Sequence, residues 1–235
     1  MRRAAAASQV GVGLVTDHTI YACVVGSRGY GLDRAGSDVD RRGVFLAPTP
    51  LFWGLTKPPS HVDGPGMEQF SWELERYCEL ALQANPTVME CLWSPIVESV
   101  TDVGRELLAL RGAFLSSAVA DTYGNYARDQ FQRLANTRRR TGEIRWKQAM
   151  HMLRLLLAGA WVLREGEVLV DVRAHRADLL AVRDGERTWE EVTAWSDRLV
   201  EDLAVARSQT RLPSEPDSSA IEEFLVRTRR RSACD

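Results

Sequence analysis

Apolar and polar positions along the chain follow two rhythms, and the change between them falls near residue 112. Before it, short β-branched and aromatic runs broken by Gly and Pro predict strands of a small sheet at Ile20 to Val25, Val39 to Leu46 and Met67 to Trp72. Two helices join them: Glu73 to Gln83, stopped by Asn85-Pro86, and Asp102 to Arg111, stopped by Gly112. From Pro48 to Gly66 the chain holds five prolines and three glycines, too many for a long regular element, so a surface loop anchored by Leu51, Phe52 and Trp53 is expected. After residue 112 apolar residues recur near i, i+3, i+4 spacing with Arg and Glu between them. That pattern predicts helices over Ala113 to Asn136, Glu143 to Arg164, Arg176 to Arg183, Trp189 to Arg207 and Ser219 to Arg230, with a linker from Leu212 to Ser218. The fold class expected is α+β: a small mixed sheet with flanking helices over 1–112, then a C-terminal helical bundle over 113–235.

Composition narrows the setting more than the chemistry. Of 235 residues, 45% are hydrophobic and 26% charged, the balance of a folded globular chain rather than a disordered one. The 30 basic and 32 acidic side chains nearly cancel, so any contact with a polyanion must be local. Only Lys57 and Lys147 are lysines, and the other 28 cations are arginines. No apolar run approaches the roughly 20 residues that a membrane span needs. Met1-Arg2-Arg3 and the alanines after it lack the apolar core of an export signal and read as a frayed terminus. Cys23, Cys78, Cys91 and Cys234 form no CxxC pair, which argues against zinc and a disulfide framework and suits a reducing cytoplasm.

The informative segment is YACVVGSRGYGLDRAGSDVDRRGVFL, residues 21–46. An apolar strand runs into Gly26-Ser27, ten residues intervene, and Asp38-Val39-Asp40 opens a second strand. Side chains at i and i+2 of a strand share a side, so Asp38 and Asp40 are expected together, with Val39 turned to the core. Two adjacent carboxylates repel unless a cation sits between them, and Mg²⁺ favours one or two carboxylates plus substrate phosphates. Gly26 permits a sharp turn, and the Ser27 hydroxyl with nearby amides suits a phosphate. A lone Asp-x-Asp or a lone Gly-Ser is commonly a solvated turn, and it is their joint occurrence that points to a metal-triphosphate site.

Gly26-Ser27 followed by Asp38-x-Asp40 resembles the signature of the polymerase β-like nucleotidyltransferase superfamily. The fuller string GSRGYGLDRAGSDVDRRGVF is similar to its YcgL-type branch, near the RNA-repair-associated polymerases. NPTVMECL from Asn85, YGNYARDQ from Tyr123, KQAMHMLRL from Lys147 and LLAVRDGE from Leu179 extend the likeness over most of the chain. The resemblance implies a catalytic domain over 1–112, a helical domain over 113–235 closing on nucleotide and acceptor, and Mg²⁺, or Mn²⁺ in its place, as cofactor. It implies transfer of a nucleoside monophosphate from an NTP to a hydroxyl-type acceptor on an RNA end, a protein or a small molecule, with pyrophosphate released. Asp38 and Asp40 would hold the metals. The superfamily's third carboxylate maps onto the strand after Met67, where Glu68 stands in place of an Asp and Glu73 and Asp63 are alternatives.

The helical half supplies cations. Lys147, His151 and Arg154 lie at i, i+4, i+7, so they share one helix face, which reads as a holder of phosphates or as a solvated stripe. Arg28 and Arg41 or Arg42 are further phosphate candidates. Arg138-Arg139-Arg140 with Arg145 and Trp146 forms the densest basic cluster, read as a nucleic-acid track with Trp146 stacking a base or, more simply, as an exposed interhelix turn. His18 and His175 are taken as structural. The alternative to an enzyme is a nucleotide- or RNA-binding regulatory module with the same fold and little turnover.

Overall fold

The computed structural model describes residues 11–234; the frayed terminus expected over the first ten residues lies outside them. Helix α1 occupies residues 11–18 and feeds β1 (Thr19–Val25), the single-turn helix α2 (Gly26–Gly29) and β2 (Asp40–Phe45). Then come β3 (His61–Asp63), β4 (Gln69–Glu73), α3 (Leu74–Leu82), α4 (Pro86–Leu92), β5 (Ile96–Val100) and α5 (Asp102–Ala109). The remainder is helical: α6 (Val119–Thr141), α7 (Trp146–Glu165), α8 (Arg176–Arg183), α9 (Trp189–Gln209) and α10 (Ser218–Ser232). The architecture is α+β, a five-stranded mixed sheet with flanking helices followed by a helical region.

The sheet runs β3-β4-β2-β1-β5, antiparallel except for the parallel pair β2 and β4. Val25 pairs with Asp40, so the end of β1 and the start of β2 sit side by side. Arg41 pairs with Gln69, and the Arg41 amide donates to the Glu68 carbonyl at 2.8 Å, which brings the entry of β4 to the same edge. Helix limits follow local chemistry. Asn85 caps α4, with Pro86 at its first position; Glu73 caps α3; Thr188 and Glu191 form a capping box on α9. Left-handed Gly142 and Gly166 end α6 and α7.

Several expected elements shift. Asp38 and Val39 precede β2, and Met67 and Glu68 precede β4, because the ladders begin only at Asp40 and Gln69. Glu73 is a cap rather than the first residue of its helix. Residues 11–18, α4, β3 and β5 add structure where none was expected. In the proline-rich loop Phe52 is half-buried beneath the Arg229 guanidinium, 4.2 Å from its ring, whereas Leu51 and Trp53 are exposed and do not anchor the segment.

One apolar core runs without a break from β1, α3 and α4 into α6, α7, α9 and α10, and a smaller one joins Leu14 and Val15 to Phe45, Ala47 and Val62. Two ion pairs are set into these contacts. Arg229 of α10 donates to both Glu73 carboxylate oxygens at 2.8 Å, and Glu73 also accepts from the Ala47 and Glu75 amides. Arg154 of α7 donates to Glu90 of α4 at 2.7 Å with both side chains under a tenth exposed, and its guanidinium lies 3.7 Å from the Tyr30 ring centre. The Tyr30 hydroxyl donates to the other Glu90 oxygen at 2.7 Å. Removing one partner of such a pair strands a buried charge. Arg154→Met is expected to lower unfolding free energy in urea by about 3–5 kcal/mol, and adding Glu90→Gln to recover part of that loss.

Candidate active site

A cavity of about 740 Å³ opens where the end of β1 and the start of β2 meet the start of α7. Its sheet side carries Gly26, Ser27, Asp38, Asp40 and Glu68, and its helical side Lys147, Met150 and His151. Gly26 has φ +66, and a Cβ added there would lie 1.9 Å from Asp40 Oδ2, so the carboxylate occupies the space a side chain would take. The glycine thus serves the acid directly. Ser27 follows at the head of α2, half-buried and lining the cavity.

The sequence-selected residues separate into those the fold gathers here and those it uses elsewhere. Of the three candidates for a third carboxylate, Glu68 alone lines the cavity, held at φ 54 between the loop and β4. Glu73 is spent on Arg229 and the cap of α3, and Asp63 is exposed on β3 opposite Phe70. Among the described residues no three His, Cys, Asp or Glu side chains form a ready-made metal cluster. Asp38 and Asp40 still offer the hard oxygen donors that Mg²⁺ takes when phosphate oxygens and water complete its shell.

Among the cations, Lys147 is exposed at the cavity wall with no ion pair among the described residues. Arg154 is a correction: it lies beneath the wall and its charge is committed to Glu90, so it is a structural cation rather than a free phosphate ligand. His151 is not a cation either. Burial first, then the charges of Arg154, Lys147 and Arg183, push its pKa down to about 4, which leaves a neutral ring at the wall. Arg28 turns its guanidinium to backbone, donating to the Ser37 carbonyl at 2.9 Å and the Asp38 carbonyl at 3.2 Å, so it holds the acid loop instead of facing phosphate. Arg41 pairs with Glu98, while Arg42 lines the cavity 3.9 Å from Asp40 and donates to the Glu68 carbonyl.

Two lining arginines escaped the sequence reading. Arg183 adds to the positive side and Arg34 is paired with Asp184, and only the loop geometry that brings residues 30–38 against α8 could have pointed to them. Trp146, a candidate base-stacking residue, is half-buried against Gly185, where an added Cβ would lie 2.9 Å from its Nε1. Arg138 pairs with Glu190 and lies 5.5 Å over the Trp189 ring, so the densest basic cluster is partly structural; Arg138 to Arg140 belong to the last turn of α6, and Arg145 lies in the turn between α6 and α7. The four cysteines are unpaired, and among the described residues no helix is long and apolar enough to cross a membrane.

The mixed sheet places Gly-Ser beside the Asp-x-Asp pair, the arrangement that the sequence resemblance leads one to expect. The model of the RNA repair pathway DNA polymerase beta family matches residues 1–227, and the chain belongs to that family. It is similar to the uncharacterized protein YcgL of Bacillus subtilis (strain 168), with 28% identity over 155 residues. That match covers 63% of this chain and 58% of the relative.

Two outcomes follow from this geometry. Gly26→Ala is expected to displace the Asp40 carboxylate and to weaken Mn²⁺ binding, measured by titration, while a spectroscopic melt still shows a cooperative fold. For His151 the folded pKa lies below the usual 6.5, so the unfolded chain takes up the proton first as pH falls. Stability should therefore be full above about pH 6.5 and decline toward about pH 4, and His151→Asn should flatten that part of a melting-temperature profile.

Proposed function

We propose that the chain transfers a nucleoside monophosphate from an NTP to a hydroxyl-type acceptor and releases pyrophosphate. The observation that carries this reading is the packing of the Asp40 carboxylate into the space left by the missing side chain of Gly26, at a cavity walled by acids on the sheet side and by Lys147 and Arg183 on the helical side. One wall suits a metal and the other suits phosphate.

In this reading Asp38 and Asp40 are the metal ligands, with Glu68 as the third carboxylate at the entry of β4. Bound Mg²⁺, or Mn²⁺ in its place, would lower the pKa of the attacking hydroxyl and neutralise charge on the leaving pyrophosphate. Ser27 and the turn at Gly26 hold triphosphate oxygens against the sheet, and Lys147 takes the charge of the outer phosphates. Neutral His151 offers one ring nitrogen as donor and the other as acceptor, which suits orientation of the nucleotide rather than neutralisation of its charge. The acceptor oxygen forms a bond to the α-phosphorus while the bond from that phosphorus to the bridging oxygen breaks. The hydroxyl proton passes to a carboxylate or water, and pyrophosphate carries the bridging electrons away.

The family's RNA-repair description and the exposed Arg139, Arg140 and Arg145 beside the start of α7 favour an RNA end as acceptor over a protein or a small molecule. The absence of a three-carboxylate cluster among the described residues is the observation that favours the second reading, a nucleotide-binding regulatory module with weak turnover. Labelled forms of all four NTPs with an acceptor screen separate the two. Asp38→Asn and Asp40→Asn are each expected to abolish pyrophosphate release in a folded protein, and unchanged release in both variants would remove the metal-ligand assignment. Calorimetric binding of metal-NTP without product from any acceptor would support the second reading.

A further inference from the structure

Residues 30–39, between the Gly-Ser turn and β2, carry no helix or strand, yet Asp38 must be held in one place to serve a metal. Ordering an irregular segment costs about 1–2 kcal/mol per residue in backbone entropy, so its carbonyls need firm partners. At the far end Arg28 takes the Ser37 and Asp38 carbonyls, and the Ser37 hydroxyl accepts from the Arg34 amide at 2.9 Å. At the near end the Tyr30, Gly31 and Leu32 amides donate back to carbonyls of α2, and the partners of the carbonyls come from the helical half. The Val172 amide donates to the Tyr30 carbonyl at 3.0 Å. Arg176 donates to the Gly31 carbonyl and, at 2.7 Å, to that of Asp33. Arg183 reaches the Leu32 carbonyl at 3.4 Å, and Arg34 forms a two-pronged ion pair with Asp184, one contact at 2.9 Å. Four consecutive carbonyls, 30 to 33, are thus taken by residues 172–183. Gly31 is left-handed at φ +69, and a Cβ there would lie 2.5 Å from Arg173 Cγ, so the loop is pressed against this segment.

We propose that residues 172–184 are a positioning clamp for the loop that carries Asp38, and that Arg176 is its principal positioning residue. The inference rests on the reading of Asp38 as a metal ligand, and it gives the helical half a second duty besides walling the cavity. Arg176 is half-buried, and two of its donors bridge carbonyls two residues apart, which fixes the curvature of the loop where it leaves Tyr30. The far-end contacts of Arg28 then set the direction in which Asp38 enters the cavity.

The test uses the full chain with Arg176→Met, Arg176→Lys and Asp184→Asn. Hydrogen exchange over residues 31–38, Mn²⁺ affinity in the presence of non-hydrolysable NTP analogues, and turnover are each measured. Arg176→Met is expected to speed exchange in that loop and to weaken Mn²⁺ about tenfold. Its turnover should fall by about 10²-fold, with Arg176→Lys between it and wild type. If Arg176→Met does not fold, Asp184→Asn, on an exposed ion pair of the same clamp, gives the same readouts on a smaller scale. Unchanged exchange over 31–38 would overturn the clamp. Faster exchange with wild-type Mn²⁺ affinity would overturn its role in placing Asp38. Failure of the wild type to bind Mn²⁺ with any NTP analogue would count against the proposed function instead, because exchange alone still decides whether the clamp holds the loop.

Discussion

The buried pair of Glu90 and Arg154 is the constraint on which the molecule turns. A carboxylate from α4 and a guanidinium from α7 are removed from water together, and the Tyr30 ring covers the cation while its hydroxyl serves the anion. Neither charge is tolerable alone in that position, so the sheet-bearing half and the helical half must meet in one register. Tyr30 directly follows the Gly-Ser turn, and therefore the register that satisfies the pair also sets the floor of the cavity. The same contact explains why His151, one turn before Arg154, stays neutral: burial and a committed positive neighbour both oppose a second charge.

Around that fixed point the cavity is built from short-range geometry on one side and long-range reach on the other. Gly26 and Asp40 are brought together by a single strand pairing, Val25 with Asp40, and need little else. Asp38 lies outside the ladder and depends on arginines, Arg28 from its own neighbourhood and Arg176 from well over a hundred residues away. The abundance of arginine, which in composition resembles a coding bias, does specific structural work here. A planar guanidinium can bridge two carbonyls or two carboxylate oxygens at once, and an ammonium has no such fork. Arg34 on Asp184 uses the same geometry, and Arg229 divides its fork between Glu73 and the Ala47 carbonyl.

Much of this is legible in the sequence. Gly26-Ser27 follows the end of β1 and Asp38-x-Asp40 leads into β2, next to the strands that short β-branched runs announce, and the limits of α8 match the apolar period residue for residue. Other elements were hidden for physical reasons. Asn85-Pro86 was read as a stop for the preceding helix, yet it is also the start of α4, since Asn caps and Pro at the first position suit a helix entry equally well. β5 is mostly exposed, so it lacks the buried alternation that marks a strand. Helix period places Lys147, His151 and Arg154 on one face, and that face meets the cavity, Tyr30 and Glu90 of α4. What period cannot encode is depth: Lys147 is at the wall, and Arg154 lies below it beside a partner 64 residues distant. Trp146 is similar, because its packing on Gly185 is a tertiary fact with no local trace.

The ion pair between Glu73 and Arg229 joins residues 156 positions apart, and Thr49 in the proline-rich loop leans on the same stretch of α10. The sheet is complete in sequence by Val100, but the acid at the end of β4 has no counter-charge until α10 arrives. On a ribosome the two events are separated by the synthesis of the whole helical region, some seconds at typical rates. During that interval the Glu73 carboxylate at the end of β4 stands in water without its Arg229 partner. The packing around the end of β4 and the proline-rich loop is thus completed by α10, the element furthest from them in sequence.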